Sequence, residues 1–137
     1  MSFEVYLQRF ENGNTASFAR SHVEEVFGPR MTRAVNEAGM IELTYPEGGG
    51  GTLHVGIGPQ ISNITIFRPG GAELFDDLFV LMTRVGAVLY WPDEPPCLAI
   101  ATKDADANLS ADMLAALGAG ILVHSGRDII AAIKRMI

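Results

Sequence analysis

The segment Asp104-Ala-Asp106-Ala-Asn108 carries oxygen-bearing side chains at every second residue, and Asp112 follows it. Calcium-binding loops space their oxygen ligands in this way. Such loops also need a glycine at the sixth position and a glutamate at the twelfth, where this chain has Leu109 and Ala115. A solvated loop that leads into a helix capped by Ser110 explains the same residues. We therefore predict no calcium site here and no bound metal.

Two glycine-rich stretches lack features that phosphate-binding loops need. Residues 48–51 lead into a predicted strand, without the Lys and the Ser or Thr with which a P-loop enters its helix. Gly56 and Gly58 lack the third glycine of a dinucleotide-binding fingerprint, because Ile61 stands in its place. We interpret the first stretch as a hairpin loop, and we predict no cofactor.

The histidines and the possible nucleophiles are scattered along the chain. The three histidines (22, 54 and 124) show no pairing at the spacing of metal ligands. Cys97 follows two prolines and has no basic neighbour in sequence, so we expect a buried, inert thiol. Ser125 lacks the Gly-x-Ser-x-Gly pattern of a nucleophile turn. The sequence identifies no catalytic residue, and we expect a protein without enzymatic activity.

Ser125, Gly126 and Arg127 stand at the predicted start of the last helix. Backbone N–H groups at a helix start attract anions, and Arg127 adds a positive charge. These three residues are our candidate for a small-anion site. The alternative is an ordinary strand-to-helix connection, in which Ser125 and Asp128 cap the helix.

The chain's only tryptophan, Trp91, ends a predicted strand and is followed by Asp93, Glu94 and three prolines. Prolines stiffen such a turn, so its side chains lose little entropy when a partner binds. Tryptophan is enriched at binding hot spots, and it is also a common core residue. We predict that Trp91, Asp93 and Glu94 form a partner-binding surface. Asp76 and Asp77, on the polar side of the longest predicted helix, extend it.

Acidic residues outnumber basic ones by 16 to ten, which gives a net charge of −6 and a pI near 4.9. The negative charge is concentrated in residues 37–112, which hold eleven acidic and three basic residues. This balance argues against binding to nucleic acid or to anionic lipid, since both need clustered Lys and Arg. It favours a basic protein partner, because complementary charge speeds association.

Apolar periodicity predicts one α+β domain over residues 1–137, with a mixed, largely antiparallel sheet covered by helices. The predicted element order is β-α-β-β-β-α-β-β-α-β-α. Apolar and polar residues alternate over residues 3–8, which indicates a half-buried first strand. An apolar stripe over residues 74–85 predicts a helix that packs deep against the sheet. Residues 30–38 fit either a loop or a frayed helical turn.

Nothing in the sequence predicts export or insertion into a membrane. Glu4 and Arg9 interrupt the apolar stretch that a signal peptide needs. The longest apolar run, residues 113–123, is shorter than the roughly 20 residues of a membrane-spanning helix. A single cysteine cannot form an intramolecular disulfide, unlike the paired cysteines common in small secreted domains. We expect a cytoplasmic, soluble protein that does not bind membranes.

Four short stretches carry a resemblance to other proteins. They are Phe3-Glu4-Val5-Tyr6-Leu7-Gln8, the Phe10-x-x-Gly13 that follows it, Phe27-Gly28 and Ser125-Gly126-x-x-Ile129. On these stretches the chain resembles a family of small, functionally uncharacterised soluble bacterial proteins. The shared markers are structural, namely a first strand, a helix stop and a cap. In size and charge alone, the chain is also similar to bacterial immunity proteins, which neutralise toxins.

Three classes of function follow as hypotheses. The leading one is a non-enzymatic binding protein with an acidic surface for a basic partner, and an immunity or inhibitor role is its most specific form. The second is a small-molecule-binding domain or small enzyme with a pocket between sheet and helices. The third is a structural subunit of a homo-oligomer. A mean hydropathy of +0.22 and a low number of charged residues favour this hypothesis.

Overall fold

The computed structural model describes residues 3–32 and 38–134. Within them the chain forms four α-helices and a mostly antiparallel mixed sheet, which confirms the predicted α+β class. The strands are β1 (Glu4–Glu11), β2 (Asn14–Ala16), β3 (Phe18–Ala19), β4 (Met40–Thr44), β5 (Gly50–His54), β6 (Gln60–Ile61), β7 (Asn63–Gly70), β8 (Ala87–Tyr90), β9 (Leu98–Ile100) and β10 (Ile121–Leu122). The helices are α1 (Ser21–Phe27), α2 (Ala72–Val85), α3 (Ala111–Leu117) and α4 (Gly126–Lys134), with 3-10 turns at Gly28–Arg30 and Lys103–Asn108.

The predicted elements are present, with ends that differ by a few residues, and three short strands are added to them. These additional strands are β2, β3 and β6. In the stretch 30–38, Arg30 ends a 3-10 turn and Met31 forms an isolated antiparallel bridge with Leu43 of β4. Residues 33–37 of that stretch lie outside the described residues.

The main sheet has the strand order β10-β9-β8-β1-β7-β5-β4, and β2 pairs with β1 outside this path. Strands β4, β5 and β7 form an antiparallel meander. Strand β1 lies between β7 and β8, antiparallel to both, so the N-terminal strand is central. Strand β10 pairs with β9 in parallel, and β3 and β6 form a separate two-stranded ribbon.

One face of this sheet is covered by helices. The side chains that point to it from the central strands, such as Leu7, Leu53 and Ile66, are fully buried. Helix α2 contributes Leu74, Leu78, Leu81 and Val85 to the same core, as its apolar stripe predicts. Helices α1 and α4 pack beside α2 and complete the layer.

The opposite face is covered at one end only. There, Phe10, Val88, Leu98 and Ile100 form a smaller apolar cluster with Leu109, against which residues of α3 and of the 3-10 turn pack. Strands β4, β5 and β7 and the first half of β1 lie beyond this cluster. The side chains that they direct to this side are partly or fully exposed.

Candidate functional site

The start of helix α4, predicted as an anion site, already holds a carboxylate of the same chain. The backbone N–H of Gly126 donates to Oδ1 of Asp76 in α2, at 3.2 Å. Ser125 Oγ accepts from the Asp128 N–H at 3.2 Å, and Asp128 Oδ2 accepts from the His124 N–H at 2.8 Å. The Asp76 carboxylate and the Ser125 hydroxyl thus occupy the Gly126 and Asp128 N–H groups, while the anion site at Ser125, Gly126 and Arg127 stays a prediction. The capping of this strand-to-helix connection by Ser125 is confirmed.

The two predicted partner-binding acids of α2 each accept a hydrogen bond from the same chain. Asp76 caps α4 as described, although the residue itself is exposed. Asp77 Oδ2 accepts a hydrogen bond from the Tyr45 hydroxyl at 2.6 Å, which joins α2 to the end of β4. The Arg30 guanidinium lies 5.4 Å from the centroid of the Tyr45 ring and 3.6 Å from the carboxylate of Glu73. Both carboxylates thus accept hydrogen bonds within the chain, and their part in a partner surface stays a prediction.

Burial, together with the hydrogen bond to Asp77, raises the pKa of Tyr45 well above its usual range. The Tyr45 side chain is 3 % exposed, so its phenolate form would lose water without gaining a cation in direct contact. The hydroxyl stays neutral and donates its proton to Asp77. The arrangement thus serves packing and has no accessible base or nucleophile.

Trp91 is fully buried, so the prediction that its ring is an exposed anchor is wrong. Its exposed fraction is 0 %, and it belongs to the main core together with Cys97, Val123 and Ile129. The indole Nε1–H has no hydrogen-bond partner among the described residues. Cys97 is a buried thiol, as expected, and its burial raises its pKa, which disfavours the reactive thiolate.

Asp93 and Glu94 remain at the surface, in the turn that leaves β8. Both residues are exposed, and Asp93 Oδ1 accepts from the Glu94 backbone N–H at 2.8 Å. Strand β8 ends at Tyr90, which lies opposite Tyr6 of β1 on the uncovered side of the sheet. This turn with Asp93 and Glu94, which we call the acidic turn, therefore follows closely on a strand whose last residue faces the uncovered side.

The uncovered side of the sheet carries aromatic, hydroxyl and acidic side chains in register. One row across the strands is Tyr90, Tyr6, Thr65, His54 and Met40, and the next is Glu4, Phe67, Thr52 and Glu42. All of these side chains are partly or fully exposed. We call this set the open face.

Two tyrosines form the aromatic centre of the open face. The rings of Tyr6 and Tyr90 stack with centroids 5.3 Å apart and an interplanar angle of 29°. The Tyr6 hydroxyl donates to Glu4 Oε2 at 2.9 Å, and the Tyr90 hydroxyl donates to Gln8 Oε1 at 3.3 Å. The bond to Glu4 raises the pKa of Tyr6, and burial raises the pKa of Tyr90. Both rings are thus held in place as neutral, partly exposed surfaces.

The open face is acidic. It includes Glu4 and Glu42, and none of its members is a lysine or arginine. Elsewhere on the described chain, Arg9, Arg30 and Arg84 form ion pairs with Glu11, Glu73 and Glu25, respectively. Glu4 lies beside the aromatic pair and Glu42 lies three strands away on β4, and both carboxylates contribute a negative potential that attracts cationic groups.

A separate apolar groove of about 380 Å³ lies where the end of β7 and the start of α2 meet α4. The apolar groove is lined by Phe3, Pro69, Gly70, Gly71, Ala72, Phe75, Ile130 and Ile133. No charged side chain is among these residues. The groove is therefore suited to an aliphatic group and offers no polar group for catalysis.

The glycine run at 48–51 is explained by packing of one backbone on another. A Cβ on Gly49 would lie 2.5 Å from the carbonyl oxygen of Gly70, and one on Gly71 would lie 2.8 Å from the Cα of Gly49. The β4–β5 connection thus packs closely against the start of α2. Residues 48 and 49 lie in this hairpin connection, as interpreted, whereas Gly50 and Gly51 are the first residues of β5 and pair with β4.

No family model, curated protein or solved structure matches this chain in the three comparisons made with known proteins. Within residues 3–32 and 38–134, no helix combines the length and the apolar character that crossing a membrane requires. In the same part of the chain, His, Cys, Asp and Glu side chains form no group of three that could hold a metal ion. Its function has to be inferred from its own surfaces.

The open face contains the candidate residues that sequence reasoning missed. Alternation over residues 3–8 indicates that Glu4 and Tyr6 point away from the core, so part of the signal is local. The neighbours Tyr90 and Phe67 are distant in sequence, and only the pairing of β1 with β7 and β8 brings them together. The sequence predicts the exposed carboxylates of Asp93 and Glu94, but it does not predict the open face.

Proposed function

We propose that this protein is a non-catalytic binding protein that receives a basic protein partner on the open face. The observation that carries the proposal is the partly exposed Tyr6–Tyr90 pair with Glu4 and Glu42 on the open face, whose members include no Lys or Arg. Tyrosine is enriched at binding hot spots because it contributes a large, rigid contact area. Carboxylates around it select a cationic partner and speed its association.

The acidic turn extends this surface. Asp93 and Glu94 are exposed beside the end of β8, whose Tyr90 belongs to the open face. Neutralisation or inhibition of a basic protein, as an immunity protein does, is the most specific form of the proposal. Such a role requires surface complementarity and no reaction centre.

Photo-crosslinking tests where the partner binds. A photoreactive residue replaces Phe67 in the open face, and a control protein carries it at Val80, which is 44 % exposed on α2. Both proteins are incubated with a lysate of the native host, and the captured proteins are identified by mass spectrometry. We expect a basic protein at position 67 and its absence at position 80. Equal capture at both positions would contradict the proposal.

Charge reversal tests the electrostatic part of the proposal on the captured partner. Glu42→Lys lies in the open face, whereas Glu24→Lys changes the charge equally on the exposed side of α1. We expect Glu42→Lys to slow association by roughly an order of magnitude at low salt and to weaken its salt dependence. Glu24→Lys is expected to change the rate much less. Stopped-flow or biosensor kinetics at several salt concentrations give both numbers.

A second candidate function rests on the apolar groove. Its volume of about 380 Å³ is within the size range of small-molecule sites, and its lining is aliphatic and aromatic. A ligand there would be an apolar small molecule. Titration with a fluorescent fatty-acid analogue tests this function, and Ala72→Phe, which narrows the groove, should reduce any binding observed.

A further inference from the structure

One ring face of Tyr6 is turned away from its aromatic neighbour on the open face. The stack with Tyr90 occupies the ring face on the β8 side, so the second face of Tyr6 is directed toward β7. There, Thr65 lies directly opposite Tyr6 in register, and its short side chain rises less far from the sheet than a tyrosine ring. Both residues are partly exposed. A flat group of a partner can therefore lie against this ring face, above Thr65.

A carboxylate lies at the edge of the same ring. The Tyr6 hydroxyl donates to Oε2 of Glu4 at 2.9 Å. Glu4 and Tyr6 are separated by one residue of β1, so their side chains leave the same side of the sheet. Glu4 forms no ion pair with any of the residues that the structure describes. Its negative charge is therefore available to a cation that lies on the ring.

A second tyrosine of the chain shows which cation suits such an arrangement. The Tyr45 hydroxyl donates to Asp77, and the Arg30 guanidinium lies 5.4 Å from the centroid of the Tyr45 ring. Glu73 lies 3.6 Å from the same guanidinium. The chain thus combines a tyrosine ring, a carboxylate on its hydroxyl and an arginine over its face. At Tyr6 the ring and the carboxylate are present, but the described residues of the open face include no arginine.

We propose that an arginine of the basic partner lies on the β7 side of the Tyr6 ring and pairs with the Glu4 carboxylate. A guanidinium is planar and weakly hydrated, so it stacks on an aromatic ring while its N–H groups bond a carboxylate at the edge of that ring. A lysine ammonium is a compact, strongly hydrated charge and fits this combination less well. The inference rests on the proposed function, since it names the residue type with which the partner contacts the open face.

Two peptides of equal length and charge test the preference for arginine. One alternates glycine with arginine and the other alternates glycine with lysine, and both are acetylated and amidated. Titration of the isotopically labelled full chain, followed by NMR, gives both dissociation constants and the residues whose signals shift. We expect the arginine peptide to bind roughly fivefold more tightly than the lysine peptide, with the largest shifts around Tyr6 and Glu4.

Matched variants locate the preference. Tyr6→Leu removes the ring and should abolish the preference for arginine, and Glu4→Gln removes the paired charge and should reduce it to about half or less. Glu42→Gln removes an equal charge three strands away on β4, so it should weaken the binding of both peptides alike and keep the preference. Circular dichroism and thermal melts check that the variants fold. If Tyr6→Leu does not fold, Glu4→Gln and its control Glu42→Gln decide.

The outcomes separate the arginine contact from the proposed function. Equal affinities of the two peptides for the wild type, or no binding of either peptide, would overturn the contact. A preference that survives Tyr6→Leu, or that falls as far in Glu42→Gln as in Glu4→Gln, would overturn it as well. In each of these cases, a basic protein captured by crosslinking at position 67 and not at position 80 would still support the proposed function.

Discussion

The two faces of the sheet are built from the same strands but differ in what covers them. Leu7 and Ile66 point to one face and are fully buried under the helices. Their neighbours Tyr6 and Phe67 point to the other face and are partly exposed. Because successive side chains of a strand alternate in direction, each strand contributes to the core and to the surface at once. The difference teaches that stability is concentrated on the covered face, which leaves the open face able to carry recognition.

The largest expected effect is the loss of a side chain from the covered face. Leu78→Ala removes a fully buried leucine of α2 and leaves a cavity, so it should lower the free energy of unfolding by about 2–5 kcal/mol. Glu42→Ala on the open face is the control and should change it by less than about 0.5 kcal/mol. Urea denaturation followed by circular dichroism measures both. Similar losses for the two variants would remove the distinction between the faces.

A smaller effect is expected where α2 and α4 meet above the covered face. A Cβ on Gly126 would lie 2.3 Å from the Asp76 backbone nitrogen and 2.5 Å from the Phe75 carbonyl carbon, so Gly126→Ala must push the helices apart. We expect a loss of about 1–3 kcal/mol in the same experiment. Gly28→Ala is the matched control, since a Cβ there meets nothing within 4 Å. Equal free energies of unfolding for Gly126→Ala and Gly28→Ala would contradict the close packing of α4 on α2.

The cap at this junction should contribute about as much as other helix caps. Asp76→Ala leaves the Gly126 N–H without its acceptor and should cost about 1 kcal/mol. Glu47→Ala removes an equally charged residue from the exposed β4–β5 turn and should be nearly neutral. Thermal melts of both variants make the comparison. An unchanged melting temperature for Asp76→Ala would show that its hydrogen bond to Gly126 does not stabilise the junction of α2 and α4.

The smallest effect concerns the hydrogen bond between Tyr45 and Asp77, and it depends on pH. Tyr45→Phe should cost about 1 kcal/mol near neutral pH. In the wild type, the pKa of Tyr45 is raised in the folded state above the value of about 10 in the unfolded chain. Above a pH of about 10, the unfolded chain therefore binds fewer protons than the folded chain. The contribution of Tyr45 to the free energy of unfolding is fully present below that pH and falls as the pH rises.

Tyr45→Phe removes this contribution, so the variant's stability should fall less steeply than that of the wild type above a pH of about 10. Urea melts at neutral pH and at several alkaline values measure the two slopes. Parallel slopes for the two proteins would show that the Tyr45 hydroxyl is not buried as described.

Features that depend on neighbouring residues could be predicted from the sequence. The apolar stripe over residues 74–85 locates α2 and its buried side. Ser110 caps α3 by accepting the Met113 N–H at 3.2 Å, as expected from its place before that helix. In both cases the pattern involves residues at most one helical turn apart, so a short stretch of the sequence is enough to show it.

The candidate site could be predicted only in part. Exposure of Asp93 and Glu94 follows from their charge and from the prolines around them, since burying unpaired carboxylates is costly. Trp91 is of a type found both in cores and at interfaces, and its local pattern does not distinguish the two. It is buried in a core that also contains Val123 and Ile129, which come from a distant part of the chain.

By itself, the sequence determined the α+β class, the buried stripe of α2 and the acidic character of the surface, because propensity, periodicity and charge are properties of residues close together in the chain. The tertiary structure decided that Asp76 meets Gly126, 50 positions away, and that Tyr6 lies beside Tyr90. Contacts of this kind depend on which strands pair and how the helices pack. That choice is made by the sum of many weak long-range interactions, which no short segment of the sequence contains.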